Sequence, residues 1–359
     1  MDRIVLHVDL DSFYASVEEL RNEEIKGKPI VICVYSGRSE DSGAVSTASY
    51  KARELGIKAG MPIKQAKSLA KGLDVAFLPV DMQYYKEVSQ RIMEILEGES
   101  GVIQQVSVDE AYLDVTNKVN SWEEARKIAR RIKDRIKRQE GITCSVGISF
   151  NKFMAKMASE HQKPDGLTTV KPQEVKGFLA DLPVSKLHGI GKKTAEILGN
   201  MGIETASNVV NSSLAKLEEN LGKNKALMLF ERAQGIDGSP VEPTISQQIS
   251  RIGTLKKDTR DIQIILEKLN ELVRDIGEKV EQKRVFFRTI SLIAIDTQLK
   301  MHTKSETVQQ TDDTSKVVEI IEQLLERFLA ENPGIELRRA GVRLSNLTYR
   351  KEQRTLSEF

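Results

Sequence analysis

From Gly235 to Thr244 the chain reads Gly-Ile-Asp-Gly-Ser-Pro-Val-Glu-Pro-Thr, two glycines and two prolines in ten residues. Proline lacks a backbone donor and glycine loses the most entropy on ordering, so neither a helix nor a central strand runs through such a stretch. A linker is expected over residues 236–249, with a separate core on each side of it. The length of 359 residues agrees, being more than one hydrophobic core serves.

The two sides differ in pattern. From Met1 to about Val170, short β-type runs (Ile4 to Leu10, Ile30 to Val34, Val45 to Ala48, Val75 to Leu78, Val102 to Val108, Ala111 to Val115, Thr143 to Ile148, Leu167 to Val170) alternate with helical spacing at Ser12 to Leu20, Met82 to Leu96 and Glu123 to Gln139. This is an α/β or α+β domain. Residues from about Pro172 to Gly235 form short helices with glycine-containing turns. Beyond the linker the order is strand (Ser250 to Lys257), helix (Ile262 to Val280), strand (Val285 to Ile295), a short polar strand or loop, helix (Lys316 to Leu329) and strand (Arg338 to Leu347). A βαββαβ sandwich of one sheet and two helices is the economical reading.

Composition excludes several classes. At 40% hydrophobic and 30% charged the chain is an ordinary globular protein. Cys33 and Cys144 lie far apart in apolar runs, which leaves neither a disulfide framework nor a zinc site and fits a reducing, cytoplasmic compartment. No apolar stretch approaches the ~18 residues of a membrane span, and Met1 to Ile4 begin a strand pattern where a signal peptide needs a longer apolar region. A soluble chain without a membrane partner is expected.

The first strand, Ile4 to Val8, runs into Asp9-Leu10-Asp11, and a second acidic pair, Asp109-Glu110, sits between the β runs Gln105 to Val108 and Ala111 to Leu113. Hard oxygen ligands from two strands suit Mg²⁺, and two such ions in line activate a hydroxyl and neutralise a pyrophosphate leaving group. The plain alternatives are a helix cap and a turn. Asp11, just before a helix, is read as that cap. Asp9, Asp109 and Glu110 lie on a half-buried sheet, where charges need a partner or a metal. In Ser46 to Arg53, a hydroxyl, a phenol and a guanidinium (Thr47, Tyr50, Arg53) recur at spacings of three on one face of a helix start. With Lys156 in Asn151 to Lys156 they form a set able to grip a triphosphate; taken singly, each is an ordinary surface residue.

Val8-Asp9-Leu10-Asp11-Ser12-Phe13-Tyr14-Ala15, Tyr50-Lys51-Ala52-Arg53, Ser107-Val108-Asp109-Glu110-Ala111-Tyr112-Leu113 and Lys163-Pro164-Asp165-Gly166 resemble the successive motifs of Y-family DNA polymerases, in the archaeal form of the DinB-type polymerase IV branch. The resemblance spans nearly the whole chain. It implies an α+β multidomain fold: a ferredoxin-like palm with small fingers in 1–170, a helical thumb with a helix-hairpin-helix in 171–235, the linker, a βαββαβ little finger in 250–350, and a tail over 351–359. It further implies that Asp9, Asp109 and Glu110 hold two Mg²⁺ ions with the Leu10 carbonyl, Glu110 being the residue usually assigned as catalytic. Phe13 and Tyr14 would lie beneath the incoming sugar, with Tyr14 as the steric gate against a ribose 2′-hydroxyl. Thr47, Tyr50, Arg53 and Lys156 would bind the triphosphate. The run Ser159-Glu160-His161-Gln162 departs from the family, which more often has Asp second and an apolar residue third.

Leu187-His188-Gly189-Ile190-Gly191-Lys192-Lys193 resembles a helix-hairpin-helix, in which Gly189 and Gly191 let backbone N–H groups at the next helix start, near Lys192, meet a phosphate. The net charge of +2 argues, as a total, against a histone-like binder. Sorted by element it reads differently. Residues 241–350 carry 18 Lys plus Arg against 17 Asp plus Glu, yet the strand segments 250–257, 283–295 and 338–350 hold Arg251, Arg288, Arg339 and Arg343 among their basic residues and no acid. In the last strand Arg339 and Arg343 alternate with Ala340, Val342 and Leu344. That gives one apolar face and one basic face able to track phosphates, where the plain alternative is a solvated sheet surface. Gln353, Leu356 and Phe359 resemble a sliding-clamp peptide, set against a frayed tail.

The sequence is thus read as a monomeric, template-directed DNA polymerase of low fidelity acting in translesion synthesis and repair. Its partners are primer-template DNA, dNTPs and a sliding clamp, and no segment reads as a proofreading exonuclease. A catalytically inactive family member serving as a DNA- or clamp-binding scaffold is the alternative, and it would be expected to have lost its carboxylates. A nucleotide cyclase would share the palm and metal pair but has no need of the hairpin or the basic strands.

Overall fold

The computed structural model describes residues 3–349. The tail carrying Gln353, Leu356 and Phe359 lies outside them, as does Arg350. The chain divides into two compact units, Met1–Val34 with Ala44–Thr244, and Tyr35–Gly43 with Ile245–Phe359. Among the described residues no helix is long and apolar enough to cross a membrane.

The first unit is built on β1 (Val5–Leu10), followed by α1 (Phe13–Arg21), β2 (Ile30–Tyr35), β3 (Gly43–Ala48), α2 (Tyr50–Glu54), α3 (Ile63–Leu69), β4 (Ala76–Pro79), α4 (Met82–Glu99), β5 (Val102–Gln105), β6 (Glu110–Asp114), α5 (Trp122–Glu140), β7 (Cys144–Ser149), α6 (Lys152–His161) and β8 (Leu167–Thr169). Its main sheet has the order β5-β6-β1-β7-β8, and a small second sheet has the order β3-β2-β4. Because side chains alternate across a strand, Leu6, Val8 and Leu10 of β1 face a core shared with α4 and α5. Val5, His7 and Asp9 face the other way. There Val5 packs with Ala155 of α6, and His7 meets Ser159 of the same helix.

Local chemistry sets the helix ends. Asp81 accepts the Tyr84 N–H at the start of α4, Ser121 accepts the Glu124 N–H at the start of α5, and Gly141, in the left-handed region, closes α5. Asn151 caps α6 through the Met154 N–H at 2.8 Å. That helix covers the stretch read from sequence only as a phosphate-gripping segment. The β run expected over Val102 to Val108 ends at Gln105. Ser107 Oγ accepts the N–H groups of Asp109 and Glu110 at 3.3 and 3.1 Å and breaks the strand into a turn.

Short helices follow, α7 (Val175–Leu179), α8 (Lys192–Asn200), α9 (Ala206–Val210), α10 (Leu214–Leu221) and α11 (Lys223–Ala233), around a core of their own that Phe153, Met154 and Met157 of α6 join. Residues 236–244 are laid along this unit. Asp237 accepts the Phe153 N–H at 3.0 Å, the Ser239 carbonyl accepts Arg3 at 2.8 Å, the Pro240 carbonyl accepts Lys152 at 3.0 Å, and Val241 is buried. Side chains thus satisfy backbone groups that the prolines keep out of regular structure.

The second unit holds β9 (Gln248–Thr259), α12 (Ile262–Lys283), β10 (Val285–Asp296), β11 (Met301–Thr311), α13 (Ser315–Glu331), β12 (Leu337–Ser345) and β13 (Thr348–Tyr349). The sheet order β11-β10-β12-β9 is the βαββαβ arrangement. The segment expected as a short polar strand or loop is the 11-residue strand β11. It lies at the sheet edge, where polar residues such as Lys304 and Glu306 blunt further pairing.

Gly147 in the middle of β7 sets how closely α6 lies on the sheet, because a Cβ there would stand 2.0 Å from the Ala155 carbonyl oxygen and 2.3 Å from the Ser159 nitrogen. Gly147→Ala is expected to cost about 3 kcal/mol. Gly177→Ala, whose Cβ meets nothing within 4 Å in α7, should stabilise by about 0.5–1 kcal/mol. Urea denaturation of the two variants checks both, and equal midpoints would contradict this packing.

Candidate active site

β1 and β6 run antiparallel with Asp9 directly opposite Glu110 and His7 opposite Tyr112. The Leu10 N–H donates to the Asp109 carbonyl at 2.9 Å and fastens the end of β1 to the acidic turn. Ser107 shapes that turn from below, and its hydroxyl also donates to Oδ1 of Asp109. All three predicted carboxylates therefore stand at one end of the two central strands.

Two lysines neutralise the opposed pair. Lys163 Nζ is 2.6 Å from Oδ1 of Asp9, and Lys156 pairs with Oε2 of Glu110. Burial pushes the Asp9 carboxyl up to about 6 against the pull of Lys163, while the His7 ring edge and the Lys156 ammonium hold Glu110 down at about 2. Potential ligand atoms of His7, Asp9 and Glu110 lie within 4.8 Å of one another. The oxygen donors and the lysines needed to balance them fit a hard divalent cation, since such an ion would release both ammonium groups. Asp109 stands beside this cluster, engaged with Ser107.

In front of the carboxylates lies a cavity of about 350 Å³. Asp9, Leu10 and Asp109 form one wall, Phe13 and Tyr14 another, and Thr47, Tyr50 and Arg53 a third. Thr47 comes from β3, so it does not share a helix face with Tyr50 and Arg53 as the spacing implied. Ser49 caps α2, and Arg53 donates to the Ala48 carbonyl at 2.9 Å with its guanidinium 5.0 Å above the Tyr50 ring. Tyr14 is stacked on Tyr85 at 4.3 Å and 18°. The Tyr85 hydroxyl donates to Oε1 of Glu18 at 2.7 Å, and Arg21 holds that carboxylate with two bonds of 2.7 and 2.8 Å. The predicted gate is thus backed by a rigid ring.

The lysine of this cavity is Lys163. Lys156 lines instead a separate cavity of about 640 Å³ with Glu160, Phe178 and His188. Sequence reasoning named Lys156 for the triphosphate and passed over Lys163. Its signal was the Lys-Pro-Asp-Gly motif itself, which was quoted without giving the lysine a task. Asp11 also differs from its reading. Ser12 occupies the cap position of α1, and Asp11, 2% exposed, ties loops together. It accepts the Ser145 hydroxyl at 2.8 Å, the Asp165 N–H at 2.8 Å and the Tyr50 hydroxyl at 3.4 Å, which fixes the Lys163 loop beside α2.

Gly189 is in the left-handed region at φ 89°, and Gly191 precedes α8, where nothing lies within 4 Å of a Cβ. Lys192 begins that helix. Arg232 of α11 donates to the His188 carbonyl and so braces the turn. In the second unit Arg339 and Arg343 share one sheet face with Ser250 and Ser291, opposite the buried Ala340, Val342 and Leu344, and Arg288 is exposed on β10. Arg251 does not join Arg339 and Arg343. It pairs with Val342, so the pleat turns it to the helix side of the edge strand β9.

Comparison with known proteins gives the site its family. The family model described as the impB/mucB/samB family matches residues 8–160, its C-terminal domain matches residues 246–357, and the IMS family HHH motif matches residues 172–203. The chain is 41% identical to DNA polymerase IV 1 of Methanosarcina mazei over 100% of both chains. It is 40% identical to DNA polymerase IV of Nitrosopumilus maritimus over 99% of each. A Y-family DNA polymerase chimera of Dbh and Dpo4 aligns over 97% of this chain and 100% of its own, with TM-score 0.90 and 38% identity. An insertion ternary complex of Dbh DNA polymerase aligns over the same shares, with TM-score 0.72 and 38% identity. With three family models along its length and about 40% identity to DNA polymerase IV relatives over the full chain, the protein belongs to the DinB-type branch of the Y-family DNA polymerases.

Proposed function

We propose that this chain is a DNA-directed DNA polymerase that extends a primer 3′ end with dNTPs in translesion synthesis. The observation that carries the reading is the pairing of Asp9 with Glu110 across β1 and β6, where Asp9, with Asp109, forms a wall of the cavity lined by Tyr14, Thr47, Tyr50, Arg53 and Lys163, and Glu110 lies behind that wall. The reaction forms a bond from the primer 3′-oxygen to the α-phosphorus and breaks the bond to the pyrophosphate oxygen. Positioning and charge neutralisation are most of what a protein supplies to such a transfer.

Asp9, Asp109, Glu110 and the Leu10 carbonyl would hold two Mg²⁺ ions, which when bound lower the pKa of the 3′-hydroxyl and neutralise the leaving group. Arg53 offers a forked donor and Lys163 a point charge to the phosphates, and the Thr47 and Tyr50 hydroxyls add donors. Lys156, freed from Glu110, would serve the same charge from the far side. The Tyr14 ring, fixed by Tyr85, fills the volume of a ribose 2′-hydroxyl.

The palm and fingers would occupy 1–170, the thumb 171–235, the linker 236–249 and the little finger 250–350. Backbone N–H groups near Gly189, Gly191 and Lys192 would meet the DNA backbone, as would Arg288, Arg339 and Arg343, whereas Arg251, turned to the helix side, would not. A sliding clamp would engage Gln353, Leu356 and Phe359, and the chain would act as a cytoplasmic monomer. A catalytically inactive scaffold is disfavoured because the carboxylates and their lysine partners are all retained.

Asp9→Ala or Glu110→Ala should lower primer extension by roughly 1,000-fold or more with DNA affinity preserved. Gel-based extension and fluorescence anisotropy measure the two, and retained extension in either variant would overturn the site assignment. Tyr14→Ala should reduce discrimination against ribonucleotides roughly 100-fold. Single-nucleotide incorporation of dNTP and rNTP on one template reads that ratio, and an unchanged ratio would remove the gate from Tyr14.

A further inference from the structure

His7 has no task in the reading above, yet it sits under the catalytic carboxylate. It is fully buried on β1, between Tyr112 of β6 and Gly147 of β7, with its ring 4.6 Å from that of Tyr112. Nδ1 is 2.8 Å from Ser159 Oγ on α6. Nε2 is buried without a hydrogen bond and lies 3.4 Å from Oε2 of Glu110, the oxygen that Lys156 also holds. A buried polar nitrogen left in this state is costly, and an apolar ring would pack against Tyr112 equally well. A positive charge is not what the imidazole adds, because Lys156 already brings one to the same oxygen.

A neutral imidazole carries one N–H, and the groups at its two nitrogens decide where it stands. Ser159 Oγ donates to the Lys156 carbonyl at 2.8 Å and stands 2.8 Å from His7 Nδ1, so this hydroxyl can either accept from Nδ1 or turn its proton to it. Oε2 of Glu110 is a carboxylate oxygen and only accepts, which puts the imidazole N–H on Nε2, facing Glu110. Lys156 reaches the same oxygen from a flexible stem and is lost from it when other charges arrive, whereas His7 is clamped on a central strand.

We infer that His7 is a positioning residue that holds Oε2 of Glu110 toward α6 and thereby presents the other oxygen, Oε1, to a divalent cation. The inference rests on the reading of Glu110 as a metal ligand. Partners that orient a ligating carboxylate are worth about 10–100-fold in metal affinity.

The test is Mn²⁺ binding to the full chain in complex with primer-template and a non-reacting dNTP analogue, followed by electron paramagnetic resonance of the free ion. His7→Phe should weaken Mn²⁺ binding about 10–100-fold. His7→Gln, whose amide reaches as far as Nε2, should restore it to within roughly threefold, while His7→Asn, which reaches only as far as Nδ1, should behave like His7→Phe. The two amides differ in reach alone, so their comparison decides the matter even if the phenylalanine variant does not fold. Equal affinities for the Gln and Asn variants, or wild-type affinity for His7→Phe beside a weakened Glu110→Ala, would overturn the role of His7. A nitrogen coupling from the imidazole in the bound Mn²⁺ spectrum would also overturn it, by making His7 a ligand itself. Wild-type affinity in Glu110→Ala would remove the assignment of Glu110 and this inference with it.

Discussion

Asp9 and Glu110 stand opposite each other on neighbouring strands, two like charges drawn partly out of water, and the rest of the first unit is arranged around that repulsion. Sheet alternation forces the arrangement. Once Leu6, Val8 and Leu10 face the helical core, His7 and Asp9 must face α6, and the register brings Glu110 to the same side. Removing such a pair from water is costly unless opposite charges accompany it. α6 and the loop after it deliver Lys156 and Lys163 for that purpose, and the bare glycine at position 147 lets the helix come close enough. Both lysines sit on flexible stems, so a divalent ion at the carboxylates would leave their charges for other anions.

Around this centre, the aromatic wall of the cavity is held rigid. Tyr14 leans on Tyr85, Tyr85 on Glu18, and Glu18 on Arg21, which also reaches Asp81 at 2.9 Å. Each link is a stacked ring or a charge-assisted bond, which leaves the Tyr14 ring little room to move. Asp11 likewise pins the Lys163 loop beside Tyr50 on the opposite wall.

Much of this was legible in the sequence. The acidic pairs, the aromatic pair after the first strand and the βαββαβ order all follow from local pattern, because strand alternation and helix periodicity are short-range signals. What the sequence hid depends on long-range placement. Which of Lys156 and Lys163 enters the cavity depends on how α6 crosses the sheet, a matter of Gly147 rather than of either lysine. Asp11 has the residue type of a cap, and only the arrival of Ser145 and Asp165 makes it a hub. Arg251 is basic like Arg339 and Arg343, but face is set by register, and one residue of phase puts it on the helix side. The strands expected to hold no acid in fact run further than their sequence bounds, so that β9 ends with Asp258 and Thr259 and β10 ends on Asp296, while the edge strand β11 carries Glu306.

Binding of a divalent cation between Asp9 and Glu110, with release of Lys163 and Lys156, is the proposal on which the rest depends. Anomalous diffraction from Mn²⁺ in crystals with primer-template and a non-reacting dNTP tests it most directly. The account predicts manganese peaks between the Asp9 and Glu110 carboxylates, with Lys163 moved to the phosphates and Lys156 withdrawn from Glu110. Intact lysine–carboxylate pairs with manganese bound elsewhere would contradict it.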